Sequence, residues 1–253
     1  MKLMLCQYQI VWEDKETNIE KINIYLKAAR EANVDLICLP EMSFTGFSMN
    51  VDVTGEYQAE TITAMRKLAK EYGVAIAFGY VRCQENHVKA ENHYAVVDKD
   101  GVVLADYTKI HPFSYGGESA FFEGGNELVS FSLCDFNIGL AICYDLRFPE
   151  QFQLLGERCD MILLPANWPA SRIEHFQVLG KARAIENQCY MAMINCIGEM
   201  GNIEYSGNSM LVDPEGKVLL ELSEEEYQII TIENDVDGYR TRFPVRKDRV
   251  SLQ

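Results

Sequence analysis

VDLICLPE, residues Val34–Glu41, returns late in the chain as CDMILLPA, residues Cys159–Ala166. Each is an apolar run of strand length interrupted by a proline, which cannot donate to a sheet ladder. A second pair of segments follows in the same order: AVVDKDGVVLADYTK at Ala95–Lys109 parallels MLVDPEGKVLLELSE at Met210–Glu224. Both read as hairpins turned at Asp-x-x-Gly. The repeat is far too long for a solenoid, so two related β-rich halves predict two similar sheets packed face to face. Further strand-like runs occur at Leu3–Ile10, Val74–Tyr80, Ile138–Ile142, Met191–Ile194 and Ile229–Ile232. Between them, Ile19, Ile22, Leu26 and Ala29 share one helix face, and Ile62, Met65, Leu68 and Tyr72 share another that stops at Gly73. With such helices on the outer faces, the expected fold is α/β: a four-layer α-β-β-α sandwich of two mixed sheets.

The chain has 253 residues, 48% hydrophobic and 24% charged, which fits one large globular domain over 1–253. A formal net charge of −15 argues against a nucleic-acid partner or an anionic membrane surface. The basic cluster Arg240, Arg242, Arg246, Lys247 and Arg249 is read as a solvated or interface-pairing tail. Among the eight cysteines there is no C-x-x-C spacing, and the four histidines form no ligand cluster with them, so neither metal nor other cofactor is expected. Cys6, Cys38, Cys189 and Cys196 lie in apolar runs, as buried reduced thiols do. The opening MKLMLCQYQIVWEDKE is cut short by acids, so no secretory leader is expected and a cytoplasmic location is.

Three polar residues follow strand-like runs where a turn begins. In FNIGLAICYDLRFPE an apolar strand ends at Cys143, and Pro149-Glu150 opens a helix. A thiol at such an elbow faces substrate, and nearby positive ends are expected to favour its thiolate. Glu41, at the mouth of the VDLICLPE strand and flanked by Phe44 and Phe47, is placed to take the thiol proton and pass it to a departing amine. Lys109 in DYTKIHPF is a cation suited, with a backbone N–H such as that of Tyr144, to the oxyanion of acyl transfer. In the paired half Glu41 corresponds to Ala166 and Lys109 to Glu224, so the scaffold alone does not demand either side chain.

The contexts LPE, TKIHPF and ICYDLRFPE together resemble the nitrilase, or carbon–nitrogen hydrolase, superfamily, and the resemblance runs from QYQIVWEDKETNIEK to YRTRFPVRKDR. It implies a Glu-Lys-Cys triad at Glu41, Lys109 and Cys143, and a thioester intermediate hydrolysed by water. It also implies a second glutamate beside the lysine, which Glu118 fits better than Glu123, and a homodimer with residues 239–253 at the interface. NWPASRIEHFQVLGKARAIENQCY and FPVRKDR are most similar to bacterial omega-amidases, which hydrolyse the terminal amide of 2-oxoglutaramate and 2-oxosuccinamate. Such a small-molecule amide has an anionic end, for which Arg147 and Arg172 are candidates, with Trp168 as a pocket wall. Arg147 has the alternative of bracing the elbow against an acid, and Trp168 that of simple core. The rival enzyme reading is an N-carbamoyl amino acid or amine hydrolase. The non-enzyme rival is an inactive binding module on the same scaffold, which predicts a broken triad.

Overall fold

The computed structural model describes residues 1–250. The first half builds β1 (Lys2–Cys6), α1 (Lys15–Glu31), β2 (Leu36–Cys38), α2 (Val51–Thr54), β3 (Gly55–Glu56), α3 (Glu60–Tyr72) and β4 (Ala75–Arg82). It continues with β5 (Ala90–Val97), β6 (Val103–Thr108), α4 (Glu118–Phe121) and β7 (Phe122–Glu123). The second half builds β8 (Ser130–Leu133), β9 (Phe136–Leu140), α5 (Pro149–Gly156), β10 (Met161–Pro165), α6 (Ile173–Asn187) and β11 (Tyr190–Ile194). β12 (Ile197–Met200), β13 (Ile203–Ser206), β14 (Met210–Val212) and β15 (Val218–Glu221) follow, and then β16 (Tyr227–Thr231) and α7 (Val236–Arg242).

The two large sheets share one plan. The main path of the first is β16-β1-β2-β4-β5-β6, and the second, taken in the same sense, is β8-β9-β10-β11-β14-β15. In each, three parallel strands lie between one antiparallel strand and an antiparallel hairpin. The repeated VDLICLPE and CDMILLPA segments carry β2 and β10, the middle parallel strands. Their hairpins match in detail. Register shifts fall at Val96/Val97 and at Leu211/Val212, which are corresponding positions. Asp98 Oδ1 accepts from the N–H groups of Asp100 and Val102, as Asp213 Oδ1 does from Glu215 and Lys217. Gly101 and Gly216 complete the turns at φ +74° and +85°, where a side chain would be strained.

Side chains alternate between layers with the period of two that strands impose. Leu3, Leu5, Leu36 and Cys38 from the first sheet meet Ile138, Leu140, Met161 and Leu163 from the second in a core between the sheets. Met4, Cys6 and Ile37 point the other way, onto Ile22, Leu26 and Ala29 of α1 and Met65 and Ala69 of α3. On the far side Ile162, Leu164, Met191 and Met193 pack under Phe152 of α5 and Phe176 and Ala184 of α6. The layers are therefore α, β, β, α, as expected. α1 is capped by Asp14, which accepts from Thr17 N, and α3 ends at Gly73 in the left-handed conformation.

The predicted strand Leu3–Ile10 ends at Cys6, where the pairing to β16 and β2 runs out. The strand expected over Ile138–Ile142 leaves the ladder after Leu140 and runs on into the Cys143 turn. The β12–β13 hairpin, absent from the sequence-based expectation, forms a separate two-stranded sheet beside the ends of the main strands.

Candidate active site

Glu41 follows β2 and Lys109 follows β6, while Glu118 opens the short helix α4. All three side chains are buried. Lys109 Nζ lies 2.8 Å from Glu41 Oε1 and 2.9 Å from Glu118 Oε2. Burial alone would push the ammonium's pKa down, but the charges of Glu118 and Glu41 outweigh it and hold the pKa well above the ordinary lysine value. The Phe47 ring lies 5.3 Å from Nζ. Phe44, expected beside Glu41, instead turns into the helix-side core against Phe78, because it falls on the opposite face of the loop.

Two asparagines that the sequence reading did not single out complete the cluster. Asn92, on β5, donates its amide to Glu41 Oε1 at 2.9 Å and to Glu118 Oε1 at 3.0 Å, bridging two like charges. Asn167, just after β10, donates its backbone N–H to Glu41 Oε2 and its side-chain amide to the Glu41 carbonyl. Glu41 is thus held by a cation and two neutral donors rather than merely desolvated. Gly79 of β4 makes room for this strand mouth: a Cβ there would lie 2.3 Å from Met42 N. Ser43 Oγ, which accepts from Gly79 N and donates to Pro40 O, locks the same turn. Glu123, the less favoured second glutamate, pairs with His87 away from Lys109.

Cys143 begins a single 3₁₀ turn, Cys143–Arg147, after β9. Its φ is +45°, uncommon for a residue with a side chain, so the elbow has to be held. Asp145 holds it. Fully buried, its carboxylate accepts from Ile142 N, Tyr107 Oη, His111 N and His111 Nδ1, tying the Cys143 turn to the segment that carries Lys109. His111 stacks on Phe148 with centroids 3.7 Å apart. The thiol meets the cavity on one side and is otherwise enclosed. Burial first, and then the negative charge of Glu41, push its pKa well above the ordinary thiol value, although Lys109 pulls the other way. The favouring of the thiolate expected from nearby positive charge is thus opposed here by burial and by Glu41.

Cys143 and Tyr144 open on a cavity of about 390 Å³. Arg147, Trp168 and Arg172 line it as well. Arg147 does not brace the elbow against an acid. Its guanidinium lies 5.1 Å from the Trp168 ring and 3.1 Å from His175 Nδ1. Arg172 lies 5.6 Å from the Phe113 ring. Neither arginine has a carboxylate partner among the described residues. Trp168 is both wall and core: 3% exposed, it packs on Phe176 and donates Nε1–H to the Arg172 carbonyl.

Residues 2–242 match the family model described as carbon-nitrogen hydrolase. The chain belongs to the carbon–nitrogen hydrolase family. Within it, this hydrolase is 32% identical over 252 residues to the omega-amidase YafV of Escherichia coli K12, covering 98% of this chain and 96% of the relative. A 2-oxoglutaramate amidase of Bacillus subtilis is 32% identical over 223 residues, covering 87% and 85%. A CN-hydrolase superfamily protein of Xanthomonas campestris, solved with an arsenic adduct in its active site, superposes with a TM-score of 0.93 at 30% identity, covering 100% of this chain and 98% of that one. In this carbon–nitrogen hydrolase the four predicted polar residues thus converge from two β-rich halves, with Glu41, Lys109 and Glu118 from the first and Cys143 from the second. A signal for Asn167 did exist: it lies one residue beyond Ala166, the counterpart of Glu41.

Proposed function

We propose that the chain hydrolyses the terminal amide of a small dicarboxylic acid monoamide, 2-oxoglutaramate or 2-oxosuccinamate, through a thioester on Cys143. The observation that carries the substrate class is the pair Arg147 and Arg172. Both guanidiniums reach the cavity of the reactive cysteine, without acid partners, in a protein of net charge −15. An amide with an anionic far end supplies the missing charge. The names of the Escherichia coli and Bacillus subtilis relatives support the same substrate class.

In this reading Glu41 removes the Cys143 proton as sulfur attacks the amide carbon. Lys109 and the Tyr144 N–H, which lies in the first turn of a helix where donors lack helical partners, stabilise the oxyanion. Glu41 then protonates the leaving ammonia, and later takes a proton from the water that hydrolyses the thioester. Glu118 holds the Lys109 ammonium in place and charged. An N-carbamoyl amino acid also has an anionic end and is the alternative substrate. The test is ammonia release from 2-oxoglutaramate beside glutamine, asparagine, an N-carbamoyl amino acid and a simple nitrile, with the wild type and Cys143→Ala. Cys143-dependent turnover of 2-oxoglutaramate is expected. Turnover of the carbamoyl compound alone overturns the substrate, and full activity of the variant overturns the mechanism.

The proposal extends to one domain over 1–253 that works as a cytoplasmic homodimer. Leu154 of α5, Val178 and Ile185 of α6, and Phe243 and Val245 beyond α7 leave apolar side chains exposed, which supports pairing through these helices and the tail over 239–253. Residues 251–253 of that tail lie outside the described residues. All eight cysteines are free, which fits a reducing compartment. No helix among the described residues is long and apolar enough to cross a membrane.

A further inference from the structure

Tyr205 is a residue that no part of the chemistry above requires. It lies on β13, in the hairpin outside both main sheets, and is 3% exposed. A phenol this deeply buried ordinarily finds a hydrogen-bond partner. Its hydroxyl finds none among the described residues, yet it is not one of the sealed polar atoms that lack a partner. The hydroxyl is therefore not fully sealed, and the residue lines the cavity that holds Cys143. Its electrostatic neighbours locate it further. Burial is the main cause that raises its pKa, and Cys196, Glu41, Cys143 and Arg172 are the titratable groups in its surroundings, Arg172 pulling the other way. It thus shares one cavity with Cys143 and Arg172, the strand that carries it packs against the turn Ala170–Arg172, and its hydroxyl is a donor without an acceptor.

We infer that the Tyr205 hydroxyl is a specificity-determining donor that, beside Arg172, hydrogen-bonds the anionic end of the substrate. A neutral donor next to a guanidinium complements a carboxylate, which has about four lone-pair sites to fill. A neutral amide that lacks this end has no acceptor to offer there. This inference rests on the proposed anionic substrate.

The experiment compares glutaramate, an ω-monoamide with a carboxylate end, with butyramide, a neutral amide, in the wild type and Tyr205→Phe. The substitution keeps the ring and removes only the oxygen, and thermal unfolding checks that the variant is folded. The expected result is a rise of roughly tenfold in KM for glutaramate with kcat within about twofold, so that the preference for glutaramate over butyramide in kcat/KM drops by about ten. An unchanged KM for glutaramate overturns the inference. So does an equal loss on both amides, or a loss confined to kcat, since either places the hydroxyl at the amide end or in the scaffold. If the wild type itself shows no preference for glutaramate, the anionic-substrate reading fails and the inference falls with it. A wild-type preference left intact by Tyr205→Phe sinks the inference alone.

Discussion

The Cys143 thiol and its base are adjusted against each other. Burial and the charge of Glu41 hold the proton on sulfur, and the same Glu41 is the group proposed to remove it. Glu41→Gln therefore has two effects of opposite sign. Hydrolysis is expected to fall by roughly 10²–10⁴ in kcat/KM, the usual contribution of a general base. Alkylation of Cys143 by iodoacetamide in the same variant is expected to reach half-maximal rate at a lower pH than in the wild type, because a negative charge beside the thiol is gone while Lys109 remains. Parallel pH profiles of the two reactions check both. A fall in both together indicates a collapsed site. Glu41, Lys109 and Cys143 were legible in the sequence as candidates because each is a polar group where an apolar strand gives way to a loop, whereas Glu118 came from the resemblance alone. Asn92 and Tyr205 were not, since a neutral polar side chain acquires its role only from what the fold places opposite it, and Asn167 was marked only by its place beside Ala166, the counterpart of Glu41.

At the scale of elements, the β5–β6 pair carries the site on one face and a second polar network on the other. Neighbouring residues on β5 point oppositely, so Asn92 reaches the carboxylates while His93 lies between Asp106 and Glu91. Burial alone would lower the His93 pKa, but its hydrogen bonds to Asp106 and Glu91 raise it, and His93 in turn is the main cause that lowers Glu91 to about 2. The signs set a window. A raised imidazole stabilises the fold fully below its unfolded value of about 6.5, and the gain is lost as pH rises through the folded value. A depressed carboxylate stabilises above its unfolded value of about 4.3, and the gain is lost as pH falls toward about 2. His93→Gln is expected to flatten the dependence of urea-unfolding stability on pH above about 6.5. An unchanged slope there would show that His93 does not titrate with folding. The hairpins of this sheet and its partner were readable because Asp-x-x-Gly dictates their turns locally. β12–β13 was missed, since its apolar residues alternate only briefly and Met200 and Tyr205 divide their contacts between the helix-side core and the cavity.

For the whole molecule, the internal repeat foretold two sheets of one design, and chain order follows it through five strands of each, while the edge strand beside β1 is β16 from the end of the chain and its counterpart β8 directly precedes β9. What the repeat does not contain is the site, because Glu41 and Lys109 have no equivalents in the second half and Cys143 none in the first. The proposed site therefore depends on the docking of unlike halves, with Asn167 of the second half bonding Glu41 of the first. Association between molecules is a separate matter, argued from exposed apolar residues on α5, α6 and the tail. Val178→Glu places a charge on that surface while leaving the site untouched. It is expected to shift sedimentation from dimer to monomer, and a wild type that sediments as a monomer contradicts the dimer.

The most direct test of the central claim is the mass of the enzyme quenched during turnover of 2-oxoglutaramate. The account predicts a transient adduct equal to substrate minus ammonia, located on the peptide containing Cys143 and absent in Cys143→Ala. An adduct on another cysteine, such as the neighbouring buried Cys196, or turnover by Cys143→Ala at the wild-type rate, would contradict it.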